Sequence, residues 1–435
     1  MKVRIKSKDI FRLMVITIFT FIFLEYLLNT SDDIYNKFLR FTCELCFIYL
    51  LYKGMKEKNI LNPYFLFSIT PLSILLYSEN ISKIYLTKLD YYTWIVAIAG
   101  IISFIFSLRI FINKSEFIDS KNISESNPEK LKLLRFHSIV LFIISQVGTL
   151  FHTFGIPYIL SSVTSIFLYP SIACAIKSKS KILTYGIYSY ILVSALITNS
   201  LTKMTMLSLI LVAMCSRYKF NKDDTNKKNY IAIILIFFIF VFIAFPLKSY
   251  VRSGNKVTFD GIIESVFNYA TQDSNYYTGR IHWDGPMVLE MPYMYLVTAW
   301  NNLQYVIKTQ PTRTNGLWSF KPLLSWLQLD GKYLRDYDLV PYSSFNTFTF
   351  ITPLYKDFGM FGVIIESFLL GLFVAKIYNL YKSSQSPIDV ACYSLVAQAT
   401  LEMFFSNHFL MYSYPFTIMI ISILYKLFFK SAREI

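Results

Sequence analysis

Charge is scarce in this chain. Only 16% of its 435 residues are Asp, Glu, Lys or Arg, where a soluble protein carries about 25%. That scarcity excludes two or three ordinary soluble domains. Soluble-enzyme motifs are missing as well: there is no phosphate-binding P-loop, no GxGxxG, no HExxH and no GxSxG, so neither nucleotide-driven pumping nor the common hydrolase and protease chemistries have a place to sit. Histidine is rare, with four residues (His137, His152, His282, His408) too dispersed to compose a metal site. Five cysteines (Cys43, Cys46, Cys174, Cys215, Cys392) all fall in apolar runs. The Cys43–Cys46 CxxC has no second ligand pair, which makes buried free thiols the expectation rather than zinc or redox chemistry. No cofactor and no metal is implied.

What is present is apolar sequence, 54% of the chain with 40 Phe and 33 Tyr. It comes in continuous runs of about 20 residues, the length that crosses a bilayer as a helix. Alternating segments of about 10 residues, as a β-barrel needs, are absent. The expected fold is an all-α polytopic integral membrane protein of about twelve transmembrane helices. Spans are placed near 10–29, 34–52, 60–78, 91–112, 134–152, 157–176, 182–199, 201–217, 229–248, 357–379, 387–406 and 410–428. The basic N-terminus resembles a signal peptide, but its apolar run is too long and lacks a small-x-small cleavage site, so it reads as a retained first span.

The formal net charge of +15 is distributed as membrane topology requires. Lysine and arginine collect in MKVRIKSK, YKGMKEK, KSKSK, RYKFNKDDTNKK and the C-terminal FKSAREI, while NTSDD, HTFGI and SNH are nearly free of them. The positive-inside rule therefore predicts both termini in the cytoplasm. It gives no basis for a nucleic-acid partner. The organisation expected is helices one to nine over 1–248, a large external loop domain over 249–356, and helices ten to twelve with a cytoplasmic tail over 357–435.

Within the loop, MPYMYLVTAWNNLQYVIK is too short and too polar to span. Tyr293, Leu296, Trp300, Leu303 and Ile307 share one helical face, with Thr298, Asn301, Asn302 and Tyr305 on the other and Pro292 in the first turn. The expectation is an amphipathic helix along the outer surface, with Trp300 packed down and Asn301 and Asn302 toward a sugar. Four of five tryptophans (Trp283, Trp300, Trp318, Trp326) lie in this loop, and aromatic faces suit sugar rings. Ordinary core packing is the competing role. Basic residues there include Lys248, Arg252, Arg280 and Arg313. Charges within spans, Glu25, Arg40, Glu44, Lys203, Glu366 and Glu402, sit toward the outer side and suggest a cavity open to the external face. Arg40 and Glu44, four apart, are expected to pair.

Three segments carry a family resemblance: YMYLVTAWNNLQYVI, TNGLWSFKPLLSWLQL with its Gly316-to-Leu323 Gly-x-x-x-Phe-x-Pro-Leu element, and the stretch from Asn346 through Asp357-Phe358-Gly359 into the next span. Together they resemble bacterial oligosaccharide repeat-unit polymerases of the Wzy type, which make O-antigen and capsular polysaccharides. The likeness covers the C-terminal part of the chain; the N-terminal half resembles the family by hydropathy alone. It implies glycosyl transfer at the outer face of the bacterial cytoplasmic (inner) membrane, from a growing glycan on undecaprenyl pyrophosphate to a repeat unit on the same carrier. Undecaprenyl-pyrophosphate-linked oligosaccharide and membrane lipids are the partners implied, with a chain-length regulator and a flippase as neighbours. Under that resemblance, Arg252, Arg280, Arg313 and Lys203, with Lys248 and Arg40, are the candidates for holding the pyrophosphate. Asp284, His282 and Glu290 are the candidates for a base. The rival classes are a lipid-oligosaccharide flippase, disfavoured by the long loop and the lack of internal repeat, and an O-antigen ligase-like glycosyltransferase.

Overall fold

The computed structural model describes residues 32–57, 59–79, 89–113, 128–153, 164, 166–197, 203–220, 269–276, 279–309, 312–334, 347–407, 409 and 417–423. Among the described residues, eight helices precede the long loop: α1 (Asp32–Lys56), α2 (Pro63–Phe67), α3 (Ile69–Glu79), α4 (Tyr91–Phe111), α5 (Pro128–Thr153), α6 (Leu168–Lys177), α7 (Lys181–Ile197) and α8 (Lys203–Phe220). The loop contributes strands β1 (Tyr269–Tyr276) and β2 (Gly279–Pro286), and helices α9 (Met287–Thr309), α10 (Lys321–Trp326) and α11 (Asp330–Tyr333). Helices α12 (Ile351–Ser383) and α13 (Pro387–Leu401) follow. The expected spans at 10–29 and 229–248 lie outside the described residues.

Most described helices fall where the apolar runs predict them. The span expected at 60–78 is divided into α2 and α3, and the sequence explains the division. Asn62 caps α2, accepting from Phe65 N at 2.9 Å, and Pro63 occupies the first turn. Pro71 then has no N–H to give to the carbonyl four residues earlier, so the helix yields at Phe67–Ser68. The all-α expectation is also corrected: β1 and β2 form an antiparallel hairpin in the long loop. Its central positions are Thr, Gln, Asp, Ser and Asn against Asp, Trp, His, Ile and Arg, a mostly polar pairing with no apolar run to detect.

The centre of the molecule is the pairing of α4 with α12. These two helices are long and apolar enough to cross a membrane. They run parallel, with Tyr92 against Tyr355 at one end and Asn113 against Asn379 at the other. Close approach is allowed by a missing side chain: a Cβ at Gly371 would stand 2.8 Å from the Phe104 carbonyl oxygen. Small residues at a helix crossing let backbones meet where apolar burial cannot drive association. All five cysteines are buried and free.

Helix α9 departs from the surface helix expected of it. It begins earlier, at Met287, so Pro292 lies inside it rather than in its first turn. Thr298 through Gln304 are all buried. Its polar face is turned inward and bonded: Thr298 Oγ1 lies 2.8 Å from Thr347 Oγ1, Asn302 Nδ2 donates to the Thr347 carbonyl, and Gln304 Oε1 accepts from Asp90 N at 2.8 Å. Trp300 is fully buried and donates from Nε1 to Ser73 Oγ at 2.8 Å. Buried polar groups must find partners, and here they bind α9 to α3, to the head of α4 and to the strand-like segment before α12.

Candidate functional site

The helix α12 is interrupted at its eighth and ninth residues. Phe358 has φ −133°, and Gly359 has φ +65° with ψ −147°, a conformation that glycine adopts at little cost. A break of this kind frees the carbonyls of the turn before it, which lose their partners further along. The loop 313–319 takes them. Arg313 Nη1 donates to Tyr355 O at 2.8 Å, Thr314 N to Lys356 O at 3.1 Å, and Asn315 N to Asp357 O at 3.3 Å. Arg313 also lies over the Tyr355 ring, with Cζ 4.4 Å from its centroid, a cation–π contact.

The Asp357 side chain, fully buried, completes this clasp. Its Oδ1 accepts from Thr314 Oγ1 and from Trp318 N at 3.1 Å; its Oδ2 accepts from Ser319 N and from Ser319 Oγ, both at 2.7 Å. Four donors converge on one carboxylate, the arrangement that holds an anion in a dry environment. Ser319 Oγ further lies 2.9 Å from Glu366 Oε2, two turns below the kink.

Beside the clasp stands a small group of cations. Arg313 and Lys356 are close enough for their charges to act on each other. Lys308, at the end of α9, pairs at 3.2 Å with Asp90, the residue that caps α4 by accepting from Thr93 N at 2.7 Å. Of Arg313's five N–H donors, the backbone uses one at Tyr355. A guanidinium set over an aromatic ring, with one N–H committed to the backbone among the described residues, is suited to a phosphate or carboxylate group. No group of three or more His, Cys, Asp and Glu suited to a metal occurs among the described residues.

The other sequence-predicted residues are distributed as follows. Arg280, His282 and Asp284 occupy alternate positions of β2, opposite Asn275, Asp273 and Thr271. Glu290 is in the first turn of α9, and Lys203 begins α8. Arg40 pairs with Glu44, Nε to Oε1 at 3.3 Å. Lys248 and Arg252 lie outside the described residues. Asn301 and Asn302 are corrected from sugar-facing positions to the interior, and Trp300 is packed down as its apolar stripe predicts, which leaves core packing and not a sugar face as its role. Trp318 is buried as well. The residues that the basic-residue and carboxylate readings passed over are Asp357, Ser319, Thr314 and Tyr355. Their signal was the motif itself: TNGLWS and YKDFG are the two halves of the clasp.

Residues 299–403 match the family model described as Putative O-antigen polymerase. The match runs from the buried part of α9, through both halves of the clasp, to the turn after α13. No curated protein and no solved structure matches the chain.

Proposed function

We propose, from the match of residues 299–403 to the family model described as Putative O-antigen polymerase, that the chain is a membrane glycosyltransferase of that family, joining lipid-linked repeat units into a polysaccharide. The donor is a growing glycan on undecaprenyl pyrophosphate, and the acceptor is one repeat unit on the same carrier. The bond from the donor's anomeric carbon to the diphosphate oxygen breaks as a bond to an acceptor hydroxyl oxygen forms. The hydroxyl proton leaves to a base, and the carrier departs as its diphosphate. The leaving group is already activated, so nucleotide sugar and ATP are unnecessary.

The observation that carries this reading is the clasp, which gathers the motif segments of the family around Arg313. Charge accumulates on the diphosphate in the transition state, and a fixed guanidinium beside it lowers the barrier without reorganisation. Arg313 is therefore assigned to the diphosphate. Arg252, Arg280, Lys203, Lys248 and Arg40 remain further candidates for that charge. The base is sought among Asp284 and His282 on β2 and Glu290 on α9, since the hairpin leads directly into α9 and α9 leads to Arg313.

In this reading the clasp lies at the external face, both termini are cytoplasmic, and about twelve spans cross the inner membrane. The gathering of Lys177, Lys219 and Lys382 at the far end of α12, with Arg109 in the last turn of α4, supports that orientation. A reporter fused after Thr309 should register as external; a cytoplasmic signal overturns the topology.

The function is tested by supplying purified protein with a lipid-linked repeat unit and resolving products on a gel. The wild type is expected to give a ladder, and Arg313→Ala to lose at least about 100-fold in extension, the scale of one electrostatic transition-state contact. A ladder from Arg313→Ala equal to wild type removes Arg313 from the chemistry. No ladder from the wild type overturns the function.

A further inference from the structure

Ser319 Oγ poses a problem of proton counting. It lies 2.7 Å from Asp357 Oδ2 and 2.9 Å from Glu366 Oε2. A serine hydroxyl has one proton to donate and lone pairs that accept, whereas two ionised carboxylates only accept. Both contacts are hydrogen bonds only if one carboxyl group itself carries a proton. Asp357 also accepts from Thr314 Oγ1, Trp318 N and Ser319 N, so its ionised form is the one its surroundings satisfy. The second proton therefore belongs to Glu366.

The position of Glu366 agrees. It is half-buried on a stretch of α12 whose neighbours Phe361, Ile364, Ile365 and Leu369 are exposed apolar side chains on a helix able to cross a membrane. An ionised carboxylate is expensive at such a surface, and a neutral acid much less so. Among charges, Asp357 acts on Glu366 directly. The loop above brings Arg313 and Lys321. The elements packed on α12 bring Arg109 from α4, Glu290 and Lys308 from α9, and Asp389 and Glu402 from α13; α12 itself adds Lys356, Lys376 and Lys382.

We propose that Glu366 is a neutral acid donating to Ser319 Oγ, and that this proton latches the loop 313–319 onto the kink and so positions Arg313. The donor chain runs from Glu366 to Ser319 and on to Asp357. When Glu366 loses its proton, one hydroxyl proton is left between two anions, one contact becomes a repulsion, and the loop lifts. The latch is therefore closed while Glu366 holds its proton and open once that proton is lost. Glu366 is a positioning residue, acting on the diphosphate only through Arg313. That last consequence rests on the polymerase reading; the latch does not.

Hydrogen exchange of the detergent-solubilised full chain, read on peptides covering 312–320 and corrected for intrinsic pH dependence, tests the latch without substrate. In the wild type the protection of these amides should fall about tenfold as the pH is raised, the worth of one such hydrogen bond. In Glu366→Gln the amide N–H donates to Ser319 Oγ at every pH, so protection should stay flat. Ser319→Ala should be weakly protected throughout. Wild-type protection that does not change with pH, or a Gln variant that follows the wild type, overturns the latch. The polymerisation assay should show the same pattern, with Glu366→Gln retaining extension at high pH where the wild type falls. A Gln variant that is protected yet makes no polymer would make Glu366 a catalytic group and overturn the positioning role. Exchange as expected with no polymer from any variant sustains the latch and removes the polymerase reading alone.

Discussion

The two ends of α12 solve the same problem with opposite charges. At the kinked end an anion, Asp357, is satisfied by N–H and O–H donors from the loop 314–319. At the far end cations are satisfied by carbonyls. Lys219 Nζ donates to Lys382 O at 2.8 Å, Lys382 Nζ to Asn113 O at 3.1 Å, and Lys177 Nζ to Gln385 O at 2.9 Å. Lys382 also faces Glu57 at 3.7 Å. These carbonyls belong to helix C-termini or the residues just past them, where the backbone has acceptors to spare and the helix dipole favours positive charge. Tyr378, Tyr381 and Tyr393 fill the space beside the lysines, the last two stacked with centroids 4.5 Å apart. The lysine end joins α8, α12 and the end of α4 using long, adaptable side chains. The aspartate end instead fixes a loop through its backbone, and small displacements there break several bonds at once. One end is a tolerant fastening, and the other a register.

That contrast can be broken by substitution. Asp357→Asn should have the largest effect: an amide cannot accept all four bonds, and its own NH2 opposes donors, leaving buried N–H groups unsatisfied at a cost of at least about 2 kcal/mol. The thermal midpoint of the solubilised protein should drop and the polymer ladder disappear. Gly359→Ala comes next. It places a side chain at φ +65° and ψ −147°, a region left almost entirely to glycine, at a cost of about 1–3 kcal/mol, and its Cβ would stand 3.2 Å from Arg313 Nη2. Extension should fall more than the thermal midpoint does, because the residue displaced is the one assigned to the diphosphate. Lys382→Met should matter least. The measure here is chain extension: removing Lys382 leaves Glu57 and Asn113 O without this donor and lowers the thermal midpoint, but the site is at the far end of α12 from Arg313, so the ladder should be retained. A ladder lost in Lys382→Met but kept in Asp357→Asn would reverse the comparison.

The helices were legible in the sequence because their signal is collective: runs such as YYTWIVAIAGIISFIFSLRIF predict α4 almost to its ends. The pairing of Arg40 with Glu44 was legible too, since it depends on one helical spacing. Two features were not. In the hairpin 269–286 the first strand is polar, and the alternation of Ile281 and Trp283 on the second is only five residues long, too brief to stand out beside the long apolar runs. The inward turn of Thr298 and Asn302 depends on Thr347, whose bonds are made across distant sequence, and a helical wheel gives polar residues to solvent by default. The clasp was half legible. Its motif segments were recognised, but nothing in their spacing shows that Asp357 would lie against Thr314, because a contact between residues so far apart is decided by the fold. Reading by residue type favoured arginines and histidines, and so overlooked the aspartate, serine and threonine that arrange them.

The kink at Gly359 has a consequence for how chains of this kind can vary. The freed carbonyls of Tyr355, Lys356 and Asp357 hold the loop 313–315 directly. Two of these bonds, Thr314 N to Lys356 O and Asn315 N to Asp357 O, run from backbone to backbone, so they depend on the path of the chain and not on the side chains carried there. Residue 359 is the exception: the bend that releases those carbonyls needs the one residue without a Cβ.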